Sequence, residues 1–160
     1  MRDKLGTPTK QFAVIEVPEL EWPASFRIPS PRFRLFVAAN TSELPVEIMS
    51  RFVTAALSAG MVYFCAWGSG CERFHDIVDE ILVEDDLGPR KFAGPTSNDK
   101  VMTTWHSQDT LEEALDFFAT FAIPTDGFKR DSGFRVVVCL SNSGWAAIAR
   151  SVIGSAEFSA

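Results

Sequence analysis

Apolar positions along this chain change their spacing in a repeating way. Four short runs, Phe33–Ala39, Met61–Trp67, Val101–Trp105 and Phe134–Leu140, predict strands, and the second is apolar on both faces, as a central parallel strand should be. A stretch with helical period follows each run. After the first, Pro45, Ile48, Met49, Phe52, Ala56 and Ala59 share one stripe, with Ser42 as a candidate N-cap and Gly60 as the stop. After the second, Phe74, Ile77, Val78, Ile81 and Leu82 predict a helix to about Val83. After the third, Leu111, Ala114, Leu115, Phe118 and Ala122 form the stripe, with Ser107, Asp109 or Thr110 as the cap, and Thr110 with Glu113 fits a capping box. After the fourth, Trp145, Ile148, Ala149 and Val152 predict a short last helix. This alternation predicts a three-layer α/β sandwich with a mainly parallel sheet of four to five strands, in flavodoxin-like or Rossmann-like order. A flavodoxin-like order places the first of these four strands between the second and the third.

The flanking segments read differently. Residues 1–10 are polar and predict a flexible N-terminus. Residues 11–32 hold a short strand, Gln11–Val17, and a proline-rich arm carrying Trp22 and Phe26. Such an arm can cap a sheet edge or pair with another copy of the chain. The α/β domain itself spans residues 33–153, and residues 154–160 predict a flexible tail. Glu84–Lys100 reads as a long polar loop and Thr125–Gly133 as a polar turn.

Composition narrows the class. At 160 residues the chain can bury a core without disulfides or a structural metal, and 14 Phe against one Tyr make Phe the main source of core volume. A net charge of −6 opposes nonspecific nucleic-acid binding, yet leaves room for a small anion held by backbone N–H groups. The odd cysteine count (Cys65, Cys71 and Cys139) points to reduced thiols and a cytoplasmic address. The N-terminal residues contain no apolar signal region, and no apolar stretch reaches the length of a membrane span.

Candidate chemistry gathers where parallel strands end. Ligands of open α/β sheets bind beyond the carboxyl ends of the strands. Four loops should meet there: Asn40-Thr41-Ser42, Trp67-Gly68-Ser69-Gly70-Cys71, Trp105-His106-Ser107 with Asp109, and Ser141-Asn142-Ser143-Gly144. The Gly68-Ser69-Gly70 turn can approach an anion, or simply make a tight strand-to-helix connection. Cys71 in a first helical turn is a candidate thiolate, with His75 one turn later as partner; packing is the alternative for both. His106 with Asp109 can act as an oriented base or fix its own loop. Cys71, His75 and His106 are also conceivable metal ligands, with Asp76 or Asp109 as a fourth, although no C-x-x-C or H-x-x-x-H spacing supports this. Trp67 and Trp105 can stack on a ligand or close the core. Ser141, Asn142 and Ser143 can cradle an anion or cap a helix, and no G-x-S-x-G elbow is present. Asp76, Asp79, Glu80, Glu84, Asp85 and Asp86 form an acidic face, either solvated or a contact for a basic partner.

The segments Trp67-Gly68-Ser69-Gly70-Cys71-Glu72-Arg73-Phe74-His75-Asp76 and Thr103-Thr104-Trp105-His106, with Leu111-Glu112-Glu113-Ala114-Leu115, resemble an uncharacterised bacterial family known as a domain of unknown function. The resemblance implies a bacterial cytosolic protein and carries no activity, cofactor or catalytic residue. Together these readings lead to a binding or regulatory domain with a site for a small polar ligand or partner at the C-terminal edge of the sheet. A thiol-dependent enzyme using Cys71 with His75 or His106, or a Cys/His metal protein, is the competing reading.

Overall fold

A computed structural model describes residues 11–92 and 94–159. Residues 1–10, expected to be flexible, lie outside the described residues. The elements in chain order are β1 (Phe12–Val17), β2 (Phe33–Ala38), α1 (Val46–Ala59), β3 (Met61–Trp67), α2 (Cys71–Leu87), β4 (Met102–Trp105), α3 (Leu111–Thr120), α4 (Asp126–Lys129), β5 (Phe134–Leu140) and α5 (Ser143–Ser159). The five strands form one parallel sheet in the order β1-β5-β2-β3-β4.

The predicted three-layer parallel α/β architecture is therefore present, in the Rossmann-like of the two expected orders and not the flavodoxin-like one. β2 lies between β3 and β5, not between β3 and β4. Burial explains the difference. β5 carries a run buried on both faces, Val136–Cys139, which needs a strand on either side. β4 has only four residues, and its Met102 and Trp105 are exposed, which suits an edge.

Each face of the sheet has its own core. On one face α1 and α2 cover Phe33, Leu35, Val37, Phe64, Val136 and Val138. The proline-rich arm completes this layer: Leu20 is buried, and Trp22 stacks on Phe33 at 5.5 Å and meets Phe52 edge-on at 5.8 Å. On the opposite face α3 and α5 cover Phe36, Tyr63, Cys65, Val137 and Cys139. At the base of this face Arg34 and Arg135 lie side by side in register on β2 and β5. Their guanidinium groups donate to the Ala122 and Ala119 carbonyls at the end of α3, both at 2.9 Å, where the helix leaves its last acceptors open. Burial, aided by the neighbouring Arg135 charge, pulls Arg34 down to about 10.

Several boundaries depart from the sequence pattern. α1 starts at Val46, because the extended Pro45 precedes it; Ser42 is not its cap. α2 continues to Leu87, so the following loop is shorter than expected. The polar turn after α3 contains the one-turn α4. The last helix runs to Ser159, past the expected loosening at Gly154. The Thr110–Glu113 capping box is formed in both directions.

Asp99 pins the loop before β4. Its carboxylate accepts from the Thr125 hydroxyl (2.8 Å), the Gly127 N–H (2.8 Å) and both the N–H and hydroxyl of Thr96 (3.0 Å each). These donors, Thr125 foremost, hold the Asp99 carboxyl below the usual carboxylate range. A carboxyl so depressed adds stability above its unfolded pKa and loses it as pH falls through the folded value. Asp99→Asn should therefore lower the thermal midpoint at neutral pH, and its deficit against the parent should shrink below about pH 4. Melting curves of both proteins across pH check this.

Candidate functional site

Chain direction decides where crevices open. α1 leaves β2 over one face, whereas α5 leaves β5 over the other. The adjacent carboxyl ends of β2 and β5 thus face a gap between diverging segments, a switch point. The same happens between β3, followed by α2, and β4, followed by α3. The residues singled out in the sequence divide between these two places.

The cleft beyond β3 and β4 has a volume of about 550 Å³. Trp67, Gly68, Ser69, Gly70, Cys71, His106, Ser107 and Asp109 all line it. Most of their polar groups are already engaged. The Ser69 N–H donates to Asn40 Oδ1 at 3.1 Å, and the Thr41 N–H donates to the Ser69 carbonyl at 2.7 Å. Gly68 and Gly70 have φ of 114° and 79°. A Cβ at Gly68 would overlap the Ala39 carbonyl, and one at Gly70 would come within 2.6 Å of the Ser42 nitrogen. These glycines admit the neighbouring loop, so the tight-turn reading accounts for them.

The thiol and imidazole groups do not assemble into a nucleophile with a base. Cys71 is buried in the α1–α2 core. Burial pushes its thiol up, outweighing the backbone N–H groups of His106, Cys71 and Glu72 that favour the thiolate. Cys65 and Cys139 are also buried, which raises them to about 12 and about 11. His106 donates from Nδ1 to Asp109 Oδ2 at 2.9 Å, and its Nε2 lies 3.0 Å from Thr104 Oγ1. This chain has the outline of a triad, but the Thr104 hydroxyl reaches back to buried Cys65 Sγ at 3.2 Å, and the ring rests on Phe117. The Trp67 indole N–H donates to the Asp109 carbonyl at 3.0 Å, fixing the same loop.

His75 is elsewhere. It points to the outer edge strand, its ring 4.4 Å from that of Trp105. Nδ1 lies 3.0 Å from Oδ1 of Asp76, whose side chain is exposed. Nε2 lies 3.0 Å from Thr103 Oγ1 and 3.3 Å from Asp79 Oδ2. Thr103 and Trp105 share one face of β4, whereas Thr104 shares the other with Tyr63 and Cys65. Cys71, His75 and His106 therefore do not converge, and among the described residues no group of three or more His, Cys, Asp or Glu is placed to hold a metal ion.

The groove beyond β1, β5 and β2 is larger, about 810 Å³. Its floor is Pro18, Leu140 and Asn40, and its walls are the arm, α1 and the start of α5. Ser141 and Asn142 line it, whereas Ser143 opens α5 beside it and is exposed. Ser141 has φ 52°, a left-handed conformation costly for a non-glycine residue; its N–H and hydroxyl bind the Val17 and Pro18 carbonyls. Asn142 caps α5 by accepting from the Trp145 N–H at 3.0 Å. Sequence reading missed Glu19, Glu21, Trp22, Ile48, Arg51 and Trp145 as lining residues. Ile48 and Arg51 are three apart on α1, a spacing that signals a shared flank but not what faces it.

Comparison with known proteins gives a family and nothing more specific. A model of a domain of unknown function (DUF7684) matches residues 16–151. The chain belongs to this family, to which no activity is attached. No curated protein and no solved structure matches it. No helix among the described residues is long and apolar enough to cross a membrane.

Two outcomes follow from this geometry. Maleimide labelling of the folded protein at pH 7 should be slower than that of a free thiol, and the Cys71 rate should climb only at strongly alkaline pH; an apparent pKa below about 8 would contradict the burial argument. Gly70→Ala should destabilise by at least about 1–2 kcal/mol through its left-handed backbone alone, as read from chemical denaturation.

Proposed function

We propose that this chain is a binding domain for a small polar ligand, held in the groove between the arm, α1 and α5. The carrying observation is the position of an 810 Å³ groove at the β2–β5 switch point. That volume lies in the range of small-molecule sites, and switch points are where open parallel sheets bind ligands. The lining has the required mixture. Trp22, Trp145, Leu44 and Ile48 supply apolar wall, while Asn40, Asn142, Arg51, Glu19 and Glu21 supply polar groups. The side-chain oxygens of Asn40 and Asn142 accept backbone N–H groups, which leaves their NH₂ groups as donors toward a ligand.

The competing enzyme reading lacks an activated nucleophile. Each described thiol is buried and shifted upward, and both ring nitrogens of His106 are engaged. We place the protein in the cytoplasm on its reduced cysteines, and a regulatory role would follow if occupancy of the groove altered a partner's access to the arm.

Thermal-shift measurements with a panel of amino acids, nucleosides, nucleotides and short carboxylic acids test the proposal. A true ligand at one hundred times its Kd should raise the melting temperature by roughly 5–10 °C. The shift should vanish in Ala55→Trp, which fills the groove from α1, and weaken at least severalfold in Arg51→Glu. Ligands that stabilise both variants as well as the parent would refute the site.

A further inference from the structure

β4 is an open sheet edge with chemistry on both sides. Among the described residues no strand lies beyond it in the sheet. In a parallel ladder, alternate residues bond to alternate neighbours. The His106 N–H donates to the Ala66 carbonyl at 3.0 Å, so positions 102, 104 and 106 face β3. The backbone N–H and C=O groups of Thr103 and Trp105 therefore face outward, ready to pair with another extended chain. Met102 is 40% exposed and Trp105 42%, large values for apolar residues on a strand.

The two faces flanking this edge differ. On the α2 face Trp105 rests on His75, and Asp76 and Asp79 stand beside it, with Glu72 one turn before Asp76. On the α3 face Met102 is exposed, and Phe117 leads from His106 to Phe121, which is 64% exposed. An added strand would present alternate side chains to these two faces. Those on the α2 side would meet carboxylates and an indole face, which suits Lys or Arg. Those on the α3 side would meet Met102, Phe117 and Phe121, which suits an apolar residue.

The geometry points to β4 as a docking edge for an extended partner segment in which basic and apolar residues alternate, added as a sixth strand. A second copy of the chain fits less well, because pairing two β4 edges would bring their acidic flanks together. The site is separate from the groove at the other end of the sheet, so neither assignment depends on the other.

Selection of a random octapeptide library displayed on phage against the intact protein tests this. Enriched sequences should alternate Lys or Arg with apolar residues. Synthetic versions should lose roughly tenfold or more in affinity when every second amide is N-methylated, which deletes the added strand's hydrogen bonds and keeps its charge. Binding should also fall severalfold in Asp76→Lys, and selection against Trp105→Lys should yield no such sequences. Overturning results are no enrichment of alternating sequences, or binding indifferent to N-methylation, which would mark mere charge attraction. A dimer in solution that Trp105→Lys dissociates would assign the edge to a second copy and equally overturn the proposal. The N-methylation comparison uses the parent protein, so it stands even if a variant fails to fold.

Discussion

The neighbouring placement of β2 and β5 governs the rest of this molecule. Parallel strands cannot be joined by hairpins, so each connection must cross a face of the sheet. From β2 the chain steps outward to β3 and then β4, with α1 and α2 on one face. It reaches the edge and must return over the other face, carrying α3 with it. The return ends beside β2, not beyond the edge, because the apolar β5 run is buried on both faces only in the interior of the sheet. The segments leaving β2 and β5 then part, and the 810 Å³ groove opens between them.

The same topology uses up the polar groups that look most chemical in sequence. Where β2 and β3 end side by side, their loops are stitched together by Asn40, Thr41 and Ser69, and the glycines are needed for that approach. The other end of the cleft is tied by the His106–Asp109 pair and the Trp67 indole. Most polar groups of that cleft are thus already bonded within the protein. The β2–β5 groove differs because, among the described residues, only Ser141, through its bonds to the Val17 and Pro18 carbonyls, ties its lining segments together, and the arm, the α1 flank and the start of α5 share no hydrogen bond. Polar side chains there keep donors to spare.

The two edges of the sheet differ in what borders them. β1 closes one side of the sheet, and the arm that follows it fills the layer that α1 and α2 leave open, through Leu20 and Trp22. β4 closes the other side, short and with exposed side chains at both its ends. Its acidic surroundings oppose casual association of like copies, a common protection for such an edge.

The pattern of apolar positions determined the parallel α/β class, the existence of the four strand–helix units, the Thr110 capping box and the gathering of the polar loops at one rim, because these depend on local period and on the rule that strands in this class run the same way. The choice between the flavodoxin-like and the Rossmann-like order was beyond its reach: it is set by which strand can satisfy burial on both faces, a comparison between Val136–Cys139 and Met102–Trp105 that no single segment contains. The division of one imagined site into two clefts and a lone His75 was equally a tertiary outcome. Helical spacing places Cys71 and His75 one turn apart, but only packing shows that Cys71 turns into the core while His75 turns to Trp105 at the outer edge. Arg51, Trp22 and Trp145 line one groove from distant parts of the chain for the same reason: a groove is a relation between elements, and local chemistry carries no record of it.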